Sequence, residues 1–378
     1  MGFMKKEYFY YGFILILFIF IGIFCFQIFF DRTLIENIGI YSQGNLCDYF
    51  ADFINQVRIT YDEKIYAGEE WKLGEKALPP FQYLLLIPIS KCCDFNQFST
   101  MFLNGDSLPI ETGKVLFVSN YIFMAISVIF FLLLYENLKF KNKFWKFITI
   151  FTLLFSYPFL FEYQRGNIVL LAVLLLHFFL FNYQSENKTN RTFALLSLSV
   201  AIALKPLPIF FLILLLFEKR FKDILIVLGT ALAITLLSFL CLGGLDNIPL
   251  YLECVEKHQN NYKYVSNQFT NIFVFFALIS FFFKENWKKC FAIVLLILIC
   301  VPRGYNFLFL LPVIVMFLNK DSFSKTDILF GAMFILLISP IRLFPNVTYC
   351  YICEIIMIIS LVFEKIQAII LTKVKNDN

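Results

Sequence analysis

Charge is what this chain has least of. Only 16% of its 378 residues are Asp, Glu, Lys or Arg, and 60% are hydrophobic. Soluble domains sit near a quarter and about a half. No single soluble core could hide 51 Phe and 19 Tyr, so a water-soluble globular protein is excluded and an all-α polytopic membrane protein is expected. A mean hydropathy of +0.76 agrees. Histidine is nearly absent, with two in the chain. Cys350 and Cys353 form a CxxC with no second pair at zinc spacing, so neither a metal nor another cofactor is expected. No convincing repeat appears, which argues against inverted-repeat transporters. The first apolar run, Tyr10–Phe30, is too long for a signal-peptide core and no small-residue cleavage site follows it, so it reads as a retained span. The net charge of +5 is dispersed in short clusters between apolar runs. Such clusters are topology signals and imply no nucleic-acid partner.

What is present is a regular alternation. Lys5 and Lys6 precede the first run, which puts the N-terminus inside. The basic loops ENLKFKNKFWK, the one with Lys188 and Arg191, EKRFK, KENWKK and NKDSFSKTD then all fall on the inner side. Parity closes at about twelve spans with both ends inside, read as one transmembrane domain over 1–378. Residues 31–114 form a first outer loop region and 243–270 a second. Pro206 and Pro208 break the stretch 192–217. The prolines around residues 77–90 predict a re-entrant or partial membrane segment there. Asp48–Gln56 predicts an interfacial helix in the first outer loop. Cys25, Cys241, Cys290 and Cys300 read as small core residues, and Cys47 with Cys92 or Cys93 offers one outer disulfide. His177, inside an apolar run, reads as a packed core residue.

The outer turns carry the specific chemistry. EYQRGN, KPLP, PRGYN and RLFPN place Arg165, Lys205, Arg303 and Arg342 on one face, joined by His258 of the second outer loop. Outer arginines run against the positive-inside bias, and a phosphate or a carboxylate is their natural partner. Taken singly, each could instead snorkel to its headgroup layer. Arg165 could also pair with Glu162 or a loop carboxylate. Gly166 lets the EYQRGN turn reverse tightly. Asp48 and Asp52, four apart, share a helical face, and one of them suffices as a general base. Basic groups beside acidic ones suit a lipid-linked phosphate and a sugar.

Five features together resemble glycosyltransferase family 87 of the C-type superfamily. They are Asp52 and Asn55 in ADFIN after the first span, Pro79–Pro80 before an apolar run, and Pro158, Arg165, Gly166 and Asn167 in YPFLFEYQRGN. Lys205 and Pro208 in ALKPLPIFF and the segment SNQFTN complete the set. The resemblance implies a C-type glycosyltransferase fold. It also implies a bacterial inner-membrane hexosyltransferase, mannosyltransferase-like, active on the extracytoplasmic side. The donor would be a polyprenyl-phosphate-linked monosaccharide and the acceptor a glycolipid or glycan. The first-loop carboxylate would be the base, carried to Asp52 and, second, to Asp48. Taking the family motifs together with the outer-face residues, donor and substrate contacts are expected from Arg165, Asn167, Lys205, His258, Asn267, Gln268, Arg303, Tyr305 and Arg342. The rival readings are a lipid-linked glycan flippase and an O-antigen polymerase or ligase.

Overall fold

The computed structural model describes residues 11–16, 18–19, 22, 50–60, 65–67, 76–91, 110–140, 142–261, 285–300, 304–338, 353, 355–360, 362–363 and 366. Among them the elements are helical, with no sheet. In chain order they are α1 (Ala51–Ile59), α2 (Pro80–Ser90), α3 (Ile110–Asn137), α4 (Lys143–Leu154), α5 (Tyr157–Arg165), α6 (Val169–Asn182) and α7 (Lys188–Leu204). A 3₁₀ turn, Leu207–Phe211, leads into α8 (Leu212–Phe217), α9 (Phe221–Cys241), α10 (Asn247–Asn261) and α11 (Asn286–Cys300). A second 3₁₀ turn, Gly304–Phe309, precedes α12 (Leu310–Leu318) and α13 (Lys325–Ile338).

Local chemistry sets several of these boundaries. Asn142 caps α4 by accepting from Phe144 N at 2.9 Å, and Asn187 caps α7 by accepting from Thr189 N at 2.9 Å. Both satisfy helix-end donors that would otherwise lack partners. Pro80 occupies the first turn of α2, where its missing N–H costs nothing. Lys205 ends α7 in an extended conformation, φ −147° and ψ 125°. The proline that follows it enforces this by excluding the α region.

The expectation of about twelve transmembrane helices is not met. The described residues hold two helices long and apolar enough to cross a membrane, Phe117–Asn137 and Phe221–Cys241. A third is gained if α4 and α5, bent by 53° at their break, count as one span. At 1.5 Å per residue a 21-residue helix covers about 31 Å, enough for a hydrocarbon core of about 30 Å. The other apolar helices are shorter: Pro80–Ser90, Val169–Asn182, Leu207–Phe217, Asn306–Leu318 and Thr326–Ile338. Sequence hydropathy alone counted such runs as spans. The structure shows why some of the apolar runs are apolar without spanning: α6 is buried along most of its length, and so are residues 290–298 of α11 and most of α12. A short helix that is apolar all round is a core helix. By contrast, only 22% of each long helix window is buried, leaving apolar surface for lipid.

The chain divides into two compact units, residues 1–43, 131–161 and 266–378 in the first and 44–130 and 162–265 in the second. In the second unit α6 packs on α7, α7 on α9, and α2 lies against α1, α7 and α9. Tyr66 is a hub there. Its hydroxyl donates to Leu78 O at 3.0 Å, its carbonyl accepts from Cys254 Sγ at 3.5 Å, and its ring meets Tyr83, Tyr251 and Phe239. Parts of both expected outer loops are thereby joined. Two expected inner loops also meet in this unit: Glu218 accepts from Tyr183 Oη and Gln184 Nε2, and Arg220 donates to Tyr183 O. In the first unit α11 packs on α12. Lys320 bridges Asp327 at 2.6 Å and Glu285 at 3.2 Å, and Glu285 also takes Lys288 and the Trp287 indole N–H. Asn319 bonds Asn137 O and Lys139 N, so three expected inner loops converge in that unit.

Candidate active site

The second unit assembles a polar site from segments far apart in the chain. Asp52 lies in the first turn of α1, where a carboxylate also suits the helix dipole. The residue before α1, Phe50, adopts a left-handed backbone (φ 57°) and donates its N–H to Gln164 O at 2.6 Å. A non-glycine residue held there is strained and persists only where its surroundings enforce it. Here the enforcement comes from the turn after α5. Gly166, at φ 64°, reverses the chain, and an added Cβ would lie 2.8 Å from Phe50 Cδ1 and 2.8 Å from Phe53 Cβ. The turn and α1 are therefore in direct contact.

That contact aligns the polar groups. Arg165 donates to Asp52 Oδ1 through Nε at 3.0 Å and Nη2 at 2.5 Å. Asn167 Nδ2 donates to Asp52 Oδ2 at 3.0 Å, while Asn167 Oδ1 accepts from Val169 N at 3.1 Å at the start of α6. Asn167 thus ties the helix end to the carboxylate. The Asp52 and Arg165 side chains keep 22% and 31% of their surface exposed, enough to meet a ligand. Of the two partners open to Arg165, the loop carboxylate is the one it takes. Tyr163 donates to Asn120 Oδ1 at 2.5 Å and its ring packs near Phe50, which buttresses the turn from α3.

Glu162, one turn before Gly166, is fully buried, and neither carboxylate oxygen has a hydrogen-bond partner. The charges acting on it are Asp52, Lys205 and Arg165. Lys205 is thereby placed within electrostatic reach of the same cluster. An ionised carboxylate buried without hydrogen bonds is costly, so its compensation must come from these cations or from a proton.

Asp52, Arg165 and Asn167 are brought into direct contact, and Lys205 borders them through Glu162. His258 is half-buried on α10, in the part of the unit built around Tyr66. Tyr305 lies in the second 3₁₀ turn. Asp48, Asn267, Gln268, Arg303 and Arg342 lie outside the described residues, as do Cys47, Cys92 and Cys93. His177 is a core residue with its ring against Phe130 and Phe181. No group of three or more His, Cys, Asp or Glu that could hold a metal occurs among the described residues.

Sequence reasoning missed Gln56 and Gln82. Gln82 Nε2 donates to Gln56 Oε1 at 2.5 Å in the buried contact between α2 and α1. The signal was available: one amide in the otherwise apolar PFQYLLLIPIS, and another four residues after Asp52.

Comparison with known proteins gives one match. The model of glycosyltransferase family 87 matches residues 78–340. Arg165, Asn167 and Lys205 fall inside that range and Asp52 before it. No curated protein and no solved structure matches.

Proposed function

We propose, for a chain that belongs to glycosyltransferase family 87 and is thus a membrane glycosyltransferase drawing its sugar from a lipid-linked donor, that Asp52 is the general base of an inverting transfer. The donor is a polyprenyl-phosphate-linked hexose, and the acceptor is a hydroxyl on a glycolipid or glycan at the outer face of the membrane.

The observation that carries this reading is the fork of Arg165 and Asn167 on Asp52. Oδ1 accepts both Arg165 bonds, and Oδ2 accepts one from Asn167. A carboxylate oxygen has two lone-pair sites, so Oδ2 keeps one for the acceptor hydroxyl. Two anchors hold the carboxylate plane, which directs that lone pair. The acceptor O–H proton passes to Asp52 Oδ2 as the acceptor oxygen bonds to the anomeric carbon. The bond from that carbon to the phosphate oxygen breaks, and the polyprenyl phosphate leaves with the electron pair. A single displacement inverts the anomeric centre, as in glycosidases that pair a carboxylate base with direct attack. A weak base is enough, because the hydroxyl becomes acidic only as its oxygen bonds to carbon. The positive charge of the Arg165 guanidinium and the Lys205 ammonium suits the charge that grows on the departing phosphate.

The test is transfer of radiolabelled sugar from polyprenyl phosphate in nanodiscs, with donor binding measured separately. Asp52→Asn keeps the shape of the side chain and removes its charge, and should lower transfer about 10²–10⁴-fold while donor binding persists. Full activity of this variant overturns the assignment. If Asp48→Asn is the inactive variant, the base is Asp48. If both transfer normally, the transferase mechanism loses its carboxylate and a transport assay becomes the deciding experiment.

A further inference from the structure

We infer that Gln56 and Gln82 form a hydroxyl-binding subsite for the acceptor sugar, one helical turn from Asp52. The inference rests on the assignment of Asp52 as the base that receives the acceptor hydroxyl, and it adds what holds the rest of that sugar.

Asp52 and Gln56 are four apart on α1 and so lie on one face, separated by about one turn, 5.4 Å. Gln82 comes from α2, which packs on α1. Gln82 is fully buried and Gln56 is 9% exposed. The bond from Gln82 Nε2 to Gln56 Oε1 uses one end of the Gln82 amide, and its Oε1 is buried with no partner. Reassigning the amide does not remove the problem. An amide that meets one neighbour through one end leaves the other end unsatisfied, whichever atom is called oxygen. If the pair served only to join two helices, an apolar residue at 82 would do so without that penalty. A buried polar group left open in this way calls for a partner, which a water molecule or a bound ligand supplies.

The chemistry of the open atom selects the ligand. An amide carbonyl accepts hydrogen bonds and cannot hold a phosphate, which brings only acceptors. One neutral oxygen is too few for a divalent cation, which takes six or more oxygen ligands. A hydroxyl fits, because it donates to Gln82 Oε1 and accepts from the Gln56 amide N–H groups. It fits equally if the amide is turned. The donor phosphate is assigned to Arg165 and Lys205, so the sugar that reaches Gln56 along α1 is the acceptor. Hydroxyls across one pyranose ring are spread over a distance comparable to one helical turn. A ring with its reacting hydroxyl on Asp52 therefore presents a second one to Gln56 and Gln82. The acceptor is accordingly a sugar and not a simple lipid alcohol, and this pair reads one hydroxyl beside the nucleophile.

The experiment pairs enzyme and substrate changes. Full-length protein in nanodiscs receives radiolabelled undecaprenyl-phosphate mannose or glucose. The acceptors are octyl mannoside, octyl glucoside, their monodeoxy forms and octanol. Transfer and donor hydrolysis by water are counted together. Wild type should lose at least tenfold in kcat/KM with one particular monodeoxy acceptor. In Gln82→Met, which keeps volume and removes both polar groups, that penalty should shrink to less than threefold. The ratio of transfer to hydrolysis should fall in the same variant. A deoxy penalty that is the same in both proteins overturns the subsite. So does transfer to octanol as fast as to the glycosides. A wild type that hydrolyses the donor but transfers to none of these glycosides overturns it as well. A wild type that neither transfers nor hydrolyses removes the transferase mechanism itself, and the subsite with it. Where Gln82→Met does not fold, the structure of wild type with the octyl glycoside decides. A sugar hydroxyl on Gln82 supports the subsite, and a water molecule alone there refutes it.

Discussion

Replacing Gly166 by alanine tests how tightly the Arg165–Asn167 turn is pressed against the helix that carries Asp52. The new Cβ would stand 2.8 Å from Phe53 Cβ and 2.8 Å from Phe50 Cδ1, with Phe123 Cε2 at 3.3 Å. The Phe50 ring is fully buried and packs on Phe123 and Tyr163, with centroids at 5.6 and 5.9 Å. Phe53 Cβ cannot give way by a side-chain rotation, because it moves only with the α1 backbone. The left-handed backbone at φ 64° adds about 1–2 kcal/mol for a residue with a Cβ. Overpacking adds about 1–3 kcal/mol, and stiffening of the unfolded chain returns about 0.4–1 kcal/mol. The net is a loss of about 3 kcal/mol, or roughly 6–12 °C at about 2–4 °C per kcal/mol for a unit of 150–250 residues. Relief requires α1 to retreat, which opens the Asp52 contacts, so transfer should fall with stability. The assay is thermal unfolding in nanodiscs beside the sugar-transfer rate. Gly229→Ala is the control. Gly229 lies inside α9 with nothing within 4 Å of its added Cβ, so alanine there should leave the midpoint unchanged or raise it. A Gly166→Ala protein as stable and active as Gly229→Ala would refute the packing argument.

Glu162→Gln replaces a buried carboxyl that lacks hydrogen bonds and sits beside Asp52; its unfolding midpoint should equal or exceed that of wild type, and a fall of several degrees would contradict the reading. Burial alone would raise Glu285, but Lys288, Lys320 and the bonds donated by Trp287 and Lys320 outweigh it and hold its carboxyl below the ordinary value of 4.5. A depressed folded value means that the stabilisation is complete above the unfolded value and is lost as pH falls through the folded one. The advantage of wild type over Glu285→Gln, followed as unfolding midpoint from pH 6 to 3, should therefore shrink in acid; an advantage that grows there would reverse the sign. Single cysteines at 286 and 325 should label only after permeabilisation, and those at 64 and 262 from outside. Labelling of 64 only after permeabilisation would separate Asp52 from the outer leaflet.

Composition decided the medium and the helical class. A chain so poor in charge cannot expose its surface to water, and a backbone in lipid must satisfy its own hydrogen bonds. Local chemistry was equally readable. The proline after Lys205 ended α7, and the glycine after Arg165 made the turn, because both act through their own backbone angles. The number of spans was not readable, since hydropathy is identical for a helix buried in protein and one facing lipid. Val169–Asn182 is the example: its composition reads as a span, and only the packing of α7 against it shows a core helix. The pairing of Asp52 with Arg165 and Asn167, 113 and 115 residues away, also needed the fold. No local periodicity relates a first-loop helix to a later turn, and two arginine partners were open until packing chose between them. The isolation of Glu162 and the pairing of Gln56 with Gln82 are likewise tertiary facts, because whether a polar side chain meets water, a partner or nothing depends on what the rest of the chain brings to it.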